Sequence, residues 1–265
     1  MKKSYYFILP ALLLSLILVI SCTKKEEEVD LDTNTSNNST NSSIILPARD
    51  IYTVIQSVYF DNSKISLSGN NIVITSNGEP NHNSPYFGTG DARYEAFNGT
   101  GTFKKNPNEI STNSFTFTIP RYPEIASTHS ATSLGVMGFA INGVPLFNQY
   151  AGPNEQELTS EINSFDQYEG HPTGSDIYHY HVEPVYLTQT YATDSSIVGF
   201  LLDGFPVYGP MENGAIVTNN DLDDYHGHVH ATTEFPDSIY HYHITSEAPY
   251  INGDGYYGTK GTSTN

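Results

Sequence analysis

Apolar and polar residues alternate along several short stretches of the chain with the period of two that half-buried β-strands show. Residues 114–119 alternate aromatic or aliphatic side chains with threonine, and residues 51–60 and 71–76 are similarly rich in Ile, Val, Thr, Tyr and Phe. Apolar residues four apart, as on one face of a helix, occur in residues 154–164. The pattern predicts three strands at the first set of positions and one helix at 154–164.

The most informative strand pattern occurs twice. Residues 177–182 read Ile-Tyr-His-Tyr-His-Val, and residues 239–244 read Ile-Tyr-His-Tyr-His-Ile. Alternate side chains of an extended strand share a face, so the two tyrosines and the last aliphatic residue point one way and the two histidines the other. A face of tyrosine and β-branched residues suits burial in a sheet. The two histidines of each strand are therefore placed side by side, where they can hold one metal ion.

Two further elements accompany each copy, which indicates an internal duplication. Residues 138–147 and 199–208 are predicted hairpins, because Asn-Gly and Asp-Gly between short apolar runs favour a two-residue type I′ turn. An Asp-x-Tyr-x-Gly-His sequence follows at residues 166–171 and 223–228. We predict a mainly β fold, a sandwich or a barrel-like arrangement of antiparallel sheets, in which a pseudo-twofold axis relates the two repeats.

The two Tyr-His-Tyr-His strands, together with Leu-Asp-Gly-Phe-Pro-Val-Tyr-Gly-Pro at residues 202–210, resemble the YHYH domain family of bacterial extracytoplasmic proteins. The resemblance covers roughly residues 70–250. It implies metal binding, which is suspected from the histidines of the family, and it identifies no catalytic residues. Residues 76–82 also resemble a family feature near the start of the domain, which makes His82 a further candidate.

Eight of the ten histidines lie between His171 and His243, and the pairs recur in phase with the repeats. A single histidine is more often a buried hydrogen-bond partner than a ligand, but this clustering favours metal binding. Three neutral imidazoles with an open position suit zinc, and a tetragonal N/O set suits copper(II), so we expect one of these two ions. One shared site and two separate sites both stay open. The predicted ligands are His171, His179 and His181 in repeat one and His228, His241 and His243 in repeat two.

Six other residues are weaker candidates for the site: His82, His226, His230, Asp166, Asp223 and Asp203. Two of these histidines flank His228 but have no counterparts in repeat one. The aspartates of the two Asp-x-Tyr-x-Gly-His sequences are candidate ligands or acceptors for an imidazole N–H, and equally they are residues that cap a turn. Asp203 has the same two interpretations, and its counterpart Asn142 favours the turn.

The first residues of the chain predict export. Two lysines precede an apolar run over residues 5–20, which is short for a membrane span and ends at Ser-Cys. Because this end resembles a bacterial lipobox, we expect residues 1–21 to be a lipoprotein signal peptide and Cys22 to be lipidated. The resemblance implies an anchor in the membrane and a location at the outer membrane or cell surface. Residues 22–48, rich in Asn, Ser and Thr, then form a disordered tether.

The remaining residues, 49–265, are sufficient for a single β-domain. Its predicted parts are N-terminal strands at 49–131, repeat one at 132–184, repeat two at 193–246 and a tail at 247–265. The formal net charge of −18 disfavours nucleic acid as a partner and favours cations. Cys22 is the only cysteine, which excludes metal sites built on thiolates.

Three classes of function follow from these features. The first is a surface-anchored lipoprotein that binds copper or zinc for sequestration, delivery or sensing. The second is a hydrolytic or oxidative metalloenzyme with an open three-histidine site. The third is an adhesion or glycan-binding module with structural histidines. The first class is favoured because the sequence contains neither Gly-x-Ser-x-Gly nor His-Glu-x-x-His.

Overall fold

Two β-sheets pack against each other around a core rich in aromatic side chains. The Phe117 ring of one sheet stacks on the Phe139 ring of the other, with centroids 4.8 Å apart. This computed structural model describes residues 49–191, 193 and 195–265. The predicted signal peptide, Cys22 and the tether lie outside these residues. The strands of the described part are β1 (Ile65–Ser68), β2 (Asn71–Ser76), β3 (Phe115–Pro120), β4 (Val136–Ala140), β5 (Pro145–Phe147), β6 (Tyr150–Ala151), β7 (Gln156–Glu157), β8 (Gly170–Pro172), β9 (Tyr178–Tyr180), β10 (Ile197–Leu201), β11 (Pro206–Tyr208), β12 (Met211–Glu212), β13 (Ala215–Ile216), β14 (Gly227–His230), β15 (Ile239–His243) and β16 (Thr262–Thr264).

The smaller sheet has the strand order β1-β2-β3-β16, and the larger has the order β14-β15-β11-β10-β4-β5-β9-β8. Two short hairpins, β6-β7 and β12-β13, accompany them. The described residues are thus mainly β, as predicted, and their sheets form a sandwich rather than a closed barrel. The larger sheet is mixed, because β5 pairs with β9 and β11 with β15 in parallel. A long connection that contains the edge strand makes each of these parallel pairs possible.

The larger sheet contains one four-stranded unit twice. Strands β4-β5-β9-β8 of repeat one correspond to β10-β11-β15-β14 of repeat two, in reversed order along the sheet. The units meet where β4 pairs antiparallel with β10, and there Phe139 lies opposite its own counterpart, Phe200. Because a residue that pairs with its own counterpart lies on a local twofold axis, the strand register shows the predicted pseudo-twofold relation. The edge strands β8 and β14 therefore lie at opposite ends of the sheet.

Glycine is required where the two repeats meet. A Cβ atom on Gly138 would collide with the carbonyl oxygen of Phe200, and one on Gly199 would collide with the carbonyl oxygen of Phe139. Packing between the two repeats thus explains why each hairpin sequence begins with Gly-Phe. The glycine lets β4 and β10 approach, and the phenylalanine fills the core beside it.

The N-terminal segment at 51–60 is a helix, α1 (Tyr52–Val58), where the sequence predicted a strand. Ile51, Ile55 and Tyr59 are buried four residues apart, which is helical spacing. The β-branched residues of segment 51–60 favour a strand, but the burial of one helical face against the core overrides that preference. Within the described residues, no helix is both long and apolar enough to cross a membrane.

The predicted helix at 154–164 is also wrong. The first part of this range belongs to the hairpin β6-β7, and only Glu161–Ser164 is helical, as a 3₁₀-helix. Leu158 packs into a small buried cluster, whereas Ile162 is exposed. The two apolar residues on which the prediction rested therefore do not share a buried face.

The hairpin turns are not of the predicted type I′. Only the glycines of these two turns, Gly143 and Gly204, have positive φ, at +84° and +87°. The Gly143 N–H donates to the carbonyl of Ala140, whose own N–H donates to the carbonyl of Val144. This is the pattern of a three-residue loop that ends in a left-handed glycine bulge. The side chain before each glycine accepts a backbone N–H bond instead of adopting positive φ.

Candidate metal centres

The two Tyr-His-Tyr-His motifs lie at β9 and β15, each of which is second from an edge of the larger sheet. The residues of both strands are buried on both faces. The four motif tyrosines belong to the main hydrophobic core. Consequently the histidines of each motif point to the opposite face, as the alternation predicts.

The first tyrosine of each motif is held by the aspartate of the preceding turn. The Tyr178 hydroxyl donates to Asp166 at 2.9 Å, and the Tyr240 hydroxyl donates to Asp223 at 2.9 Å. Both aspartates also accept backbone N–H bonds within their turns. Burial raises the pKa of Asp166 to about 6. The two carboxylates thus cap turns and anchor tyrosines, and they lie on the face away from the motif histidines.

The second tyrosine of each motif is held by the hairpin turn of the same repeat. Asn142 donates its side-chain N–H to the Tyr180 hydroxyl at 3.3 Å, and His82 Nε2 lies 3.0 Å from the same oxygen. In repeat two the Tyr242 hydroxyl donates to Asp203 at 2.6 Å. Asp203 and His82 are therefore partners of the tyrosine face. With both tyrosines tied, the rotation of each motif strand is fixed and its histidines have a defined direction.

A third imidazole for each pair comes from the adjacent edge strand. In the pairing of β8 with β9, His171 lies opposite His179, and in the pairing of β14 with β15, His228 lies opposite His241. Directly opposed residues of antiparallel strands project to the same face. The residue before each edge histidine is glycine because the ring of the first motif tyrosine occupies the place of a Cβ there.

Four side chains of repeat one converge in what we call cluster one: Glu161, His171, His179 and His181. His179 Nε2 lies 3.2 Å from His171 Nε2 and 2.9 Å from His181 Nε2. One carboxylate oxygen of Glu161 lies 3.2 Å from His171 Nε2. The three histidines are at most 3% exposed. The Phe147 ring stacks on the His179 ring with centroids 4.0 Å apart.

Cluster two is the corresponding set of repeat two: Glu212, His228, His241 and His243. His228 Nε2 lies 3.1 Å from His241 Nε2. Oε1 of Glu212 lies 3.4 Å from each of these two atoms and 3.8 Å from His243 Nε2. His243 Nε2 is buried and has no hydrogen-bond partner among the described residues. The two clusters are separate sets of donors at opposite ends of the sheet.

The other ring nitrogen, Nδ1, fixes the tautomer of five of the six histidines. In five of them Nδ1 lies 2.5–3.3 Å from a backbone carbonyl oxygen, which can only accept, so Nδ1 carries the hydrogen. In the sixth, His171, Nδ1 lies 2.7 Å from the Ser164 hydroxyl and 3.5 Å from the side-chain nitrogen of Asn106, which donates, while Nε2 lies 3.2 Å from the Glu161 carboxylate, which accepts. Its contacts therefore accommodate either tautomer. The Nε2 atoms of the other five histidines are left with a bare lone pair.

Lone pairs at these separations cannot hydrogen-bond to one another, and a cation held in common satisfies them. Donors about 2.0–2.1 Å from a tetrahedral zinc ion lie about 3.3 Å apart, and adjacent donors of a square copper(II) site lie about 2.9 Å apart. The Nε2 separations of 2.9–3.2 Å fall close to both values. The donors present thus fit a transition metal ion without rearrangement of the strands.

Burial keeps several of these imidazoles in the neutral form that binds metals. Burial, together with the neighbouring imidazoles, lowers the pKa of His181 to about 4 and that of His241 to about 3. Burial holds the pKa of His179 well below its ordinary value, again with help from the adjacent rings. These three nitrogens need not lose a proton before ligation at neutral pH.

The two glutamates escaped the sequence analysis. Glu161 begins a 3₁₀-helix, whereas Glu212 lies on the hairpin strand β12. Glu161 precedes Asp166 by five residues, and Glu212 precedes Asp223 by eleven. Since the two positions are not equivalent in the repeats, comparison of the repeats does not align them. The only shared signal is an acidic residue between the hairpin and the Asp-x-Tyr turn.

The two remaining weaker candidates, His226 and His230, lie at different distances from cluster two. His226 Nε2 lies 2.9 Å from the Thr245 hydroxyl, and the side chain is not one of the converging donors. His230 lies beside cluster two, where its Nδ1 is 2.8 Å from Oε2 of Glu212. The structure therefore brings together all six first-choice histidines in two sets of three, and adds a glutamate to each set.

A model of the family described as YHYH protein matches residues 116–215 and 211–255, together more than half of the chain. No curated protein and no solved structure matches the chain. The matched residues include both motif strands and all eight donors of the two clusters.

Proposed function

The chain belongs to the YHYH protein family, and we propose that this member binds one divalent transition metal ion, zinc or copper(II), in each of its two clusters. The main support is the convergence of three imidazole Nε2 atoms and one carboxylate oxygen in each repeat. Imidazole with carboxylate is a donor set that suits both metals.

The number of protein donors favours holding a metal over using it in catalysis. A catalytic zinc site typically has three protein ligands and keeps a fourth position for water or substrate, whereas a structural or storage site is closed by four. With Glu161 and Glu212 each cluster offers four. We therefore place the protein among metal carriers that sequester or deliver the ion, ahead of hydrolytic or oxidative enzymes.

We further propose that the metal-binding domain is tied to the outer membrane or cell surface through lipidated Cys22. Support comes from the signal-like run that ends at Ser-Cys and from the polar tether that follows it. Replacement Cys22→Ser is expected to release the protein from the membrane fraction and abolish labelling by radioactive palmitate. A wild-type protein that carries no acyl label would contradict the anchor and leave the metal proposal untouched.

The metal proposal is tested on protein purified without a polyhistidine tag. We expect about two equivalents of zinc or copper per chain by elemental analysis. Each site filled at a metal concentration 100-fold above its Kd should add about 2.7 kcal/mol to the unfolding free energy, or roughly 5–10 °C in Tm. Thermal unfolding with and without added zinc measures this gain, with magnesium as the control cation because it prefers all-oxygen sites.

Absence of bound zinc and copper under replete conditions, together with an unchanged Tm, would sink the metal proposal. The histidines would then have a structural role, as in the adhesion or glycan-binding alternative.

A further inference from the structure

The two clusters have the same donors but different neighbours. Phe147, which covers His179 in repeat one, has Tyr208 as its counterpart in repeat two. The Tyr208 hydroxyl is bonded at 2.8 Å to both Glu234 and Thr232. One cluster is thus covered by a hydrocarbon ring, and the other by a phenol in a polar network.

The second difference is an extra imidazole. His230 is the counterpart of Thr173, and its side chain is 53% exposed. Its Nδ1 lies 2.8 Å from Oε2 of Glu212, while Oε1 of the same carboxylate faces the three Nε2 atoms of cluster two. Since a carboxylate only accepts, Nδ1 carries a hydrogen, and Nε2 is the ring nitrogen that a metal ion can occupy. One glutamate therefore connects the buried donors to an imidazole at the surface.

The clefts that lead to the two clusters also differ in polarity, and the one at cluster two is the more polar. A cleft of about 230 Å³ reaches Glu212 and His243, and its lining includes Tyr208, Thr232 and Glu234. These side chains supply two hydroxyls and a carboxylate along the way in. A cation that leaves bulk water meets new oxygen donors at each step there, which limits the cost of its dehydration.

The cleft that reaches cluster one is larger, about 360 Å³, but its lining includes the hydrocarbon side chains of Leu134, Phe147 and Pro153. Apart from Glu161, His179 and His181 of the cluster itself, the polar side chains of this lining are Tyr150 and Thr173. The Tyr150 hydroxyl donates to Asp254, and the Thr173 hydroxyl accepts backbone N–H bonds of its own turn. An ion that passes this lining finds few oxygen or nitrogen donors to replace the water molecules of its hydration shell.

Resting on the proposed function, we infer that cluster two is the exchangeable site and that His230 is its receiving ligand, whereas cluster one retains its ion. The Nε2 atom of His230 takes the incoming cation from solvent and passes it to Glu212, which then shares it with the three buried Nε2 atoms. Each new bond to the ion replaces a bond to water. No electron is transferred, and release follows the same steps in reverse.

The inference is tested by mixing full-length, zinc-loaded protein with an excess of the chromogenic chelator 4-(2-pyridylazo)resorcinol in a stopped-flow instrument. We expect two phases of equal amplitude, of which the fast one is missing in the His241→Ala/His243→Ala variant. Replacement His230→Thr, which gives repeat two the residue of repeat one, should slow the fast phase about tenfold, the size of effect that groups beside a metal site show. Total zinc and the slow phase should stay unchanged.

A second variant separates ligation from hydrogen bonding. Replacement His230→Gln keeps a donor for Glu212 but lacks a ligating ring nitrogen, so it should be as slow as His230→Thr. Wild-type speed in either variant, or release of both ions in one phase, would overturn the inference while two bound ions still upheld the proposed function. If no zinc is bound at the outset, the proposed function fails and this inference fails with it.

Discussion

Replacement of His241 and His243 together by alanine is expected to remove one of the two bound metal ions and leave the other in cluster one. The double change deletes two of four donors, and the remaining pair, His228 and Glu212, cannot hold a dehydrated ion against water. The matching change His179→Ala with His181→Ala should remove the ion of cluster one instead. Elemental analysis of the purified variants gives the stoichiometry, and each double should lose the metal-dependent gain in Tm for one site.

A matched control is available among the buried histidines outside the clusters. His82 and His226 are buried histidines outside the clusters, bonded to Tyr180 and Thr245. Their double replacement by alanine makes the same change in composition and should lower stability without lowering metal content. Loss of metal from this control to the same extent as from the cluster variants would show that the converging nitrogens are not the ligands.

Replacement Asp203→Asn is expected to remove a large pH-dependent contribution to stability. Burial raises the pKa of Asp203 to about 6, only partly offset by the hydrogen bonds from Tyr242 and the Gly258 N–H. The native state therefore holds this proton to a higher pH than the unfolded chain does. The protonated carboxyl of Asp203 therefore contributes to the free energy of unfolding. This contribution is fully present well below the unfolded pKa near 4 and is lost as the pH rises through the folded pKa of about 6. The total loss is about 3 kcal/mol.

The measurement is urea unfolding of metal-free wild type and variant from pH 4 to pH 8. The wild-type free energy of unfolding minus that of Asp203→Asn should fall by about 2 kcal/mol between pH 4 and pH 6.5 and then level off. Titration of the histidines is common to both proteins and cancels in the difference. A flat profile would show that the carboxylate of Asp203 is not held in a raised-pKa state.

The period of two in the motif strands was sufficient to predict the histidine face because tyrosine hydroxyls lock the strands in place. Asp166 and Asp223 hold the first tyrosines, and the hairpin turns hold the second. The repeated Gly-His then predicted a third histidine for each pair. The alternation within each motif strand is local in the sequence, and the Gly-His pair occurs in both repeats. Both features can therefore be recognised from the sequence alone.

Other features depend on contacts that no local pattern records. The helix α1 was assigned as a strand because its β-branched residues were weighed above the spacing of Ile51, Ile55 and Tyr59. Glu161 and Glu212 reach equivalent places in space from different places in the chain. Their common role follows from tertiary packing, so the sequence predicted three donors per site where the structure brings together four.

The pairing of β4 with β10 has the form of an interface between the two subunits of a homodimer, because each half offers the same strand to the other. Identical subunits must carry every substitution twice. Covalent linkage of the halves removes that constraint, and a change can be kept on one side alone. The chain can thus retain Phe147 beside one set of donors and Tyr208 beside the other, so that a symmetric scaffold presents two centres that evolve separately.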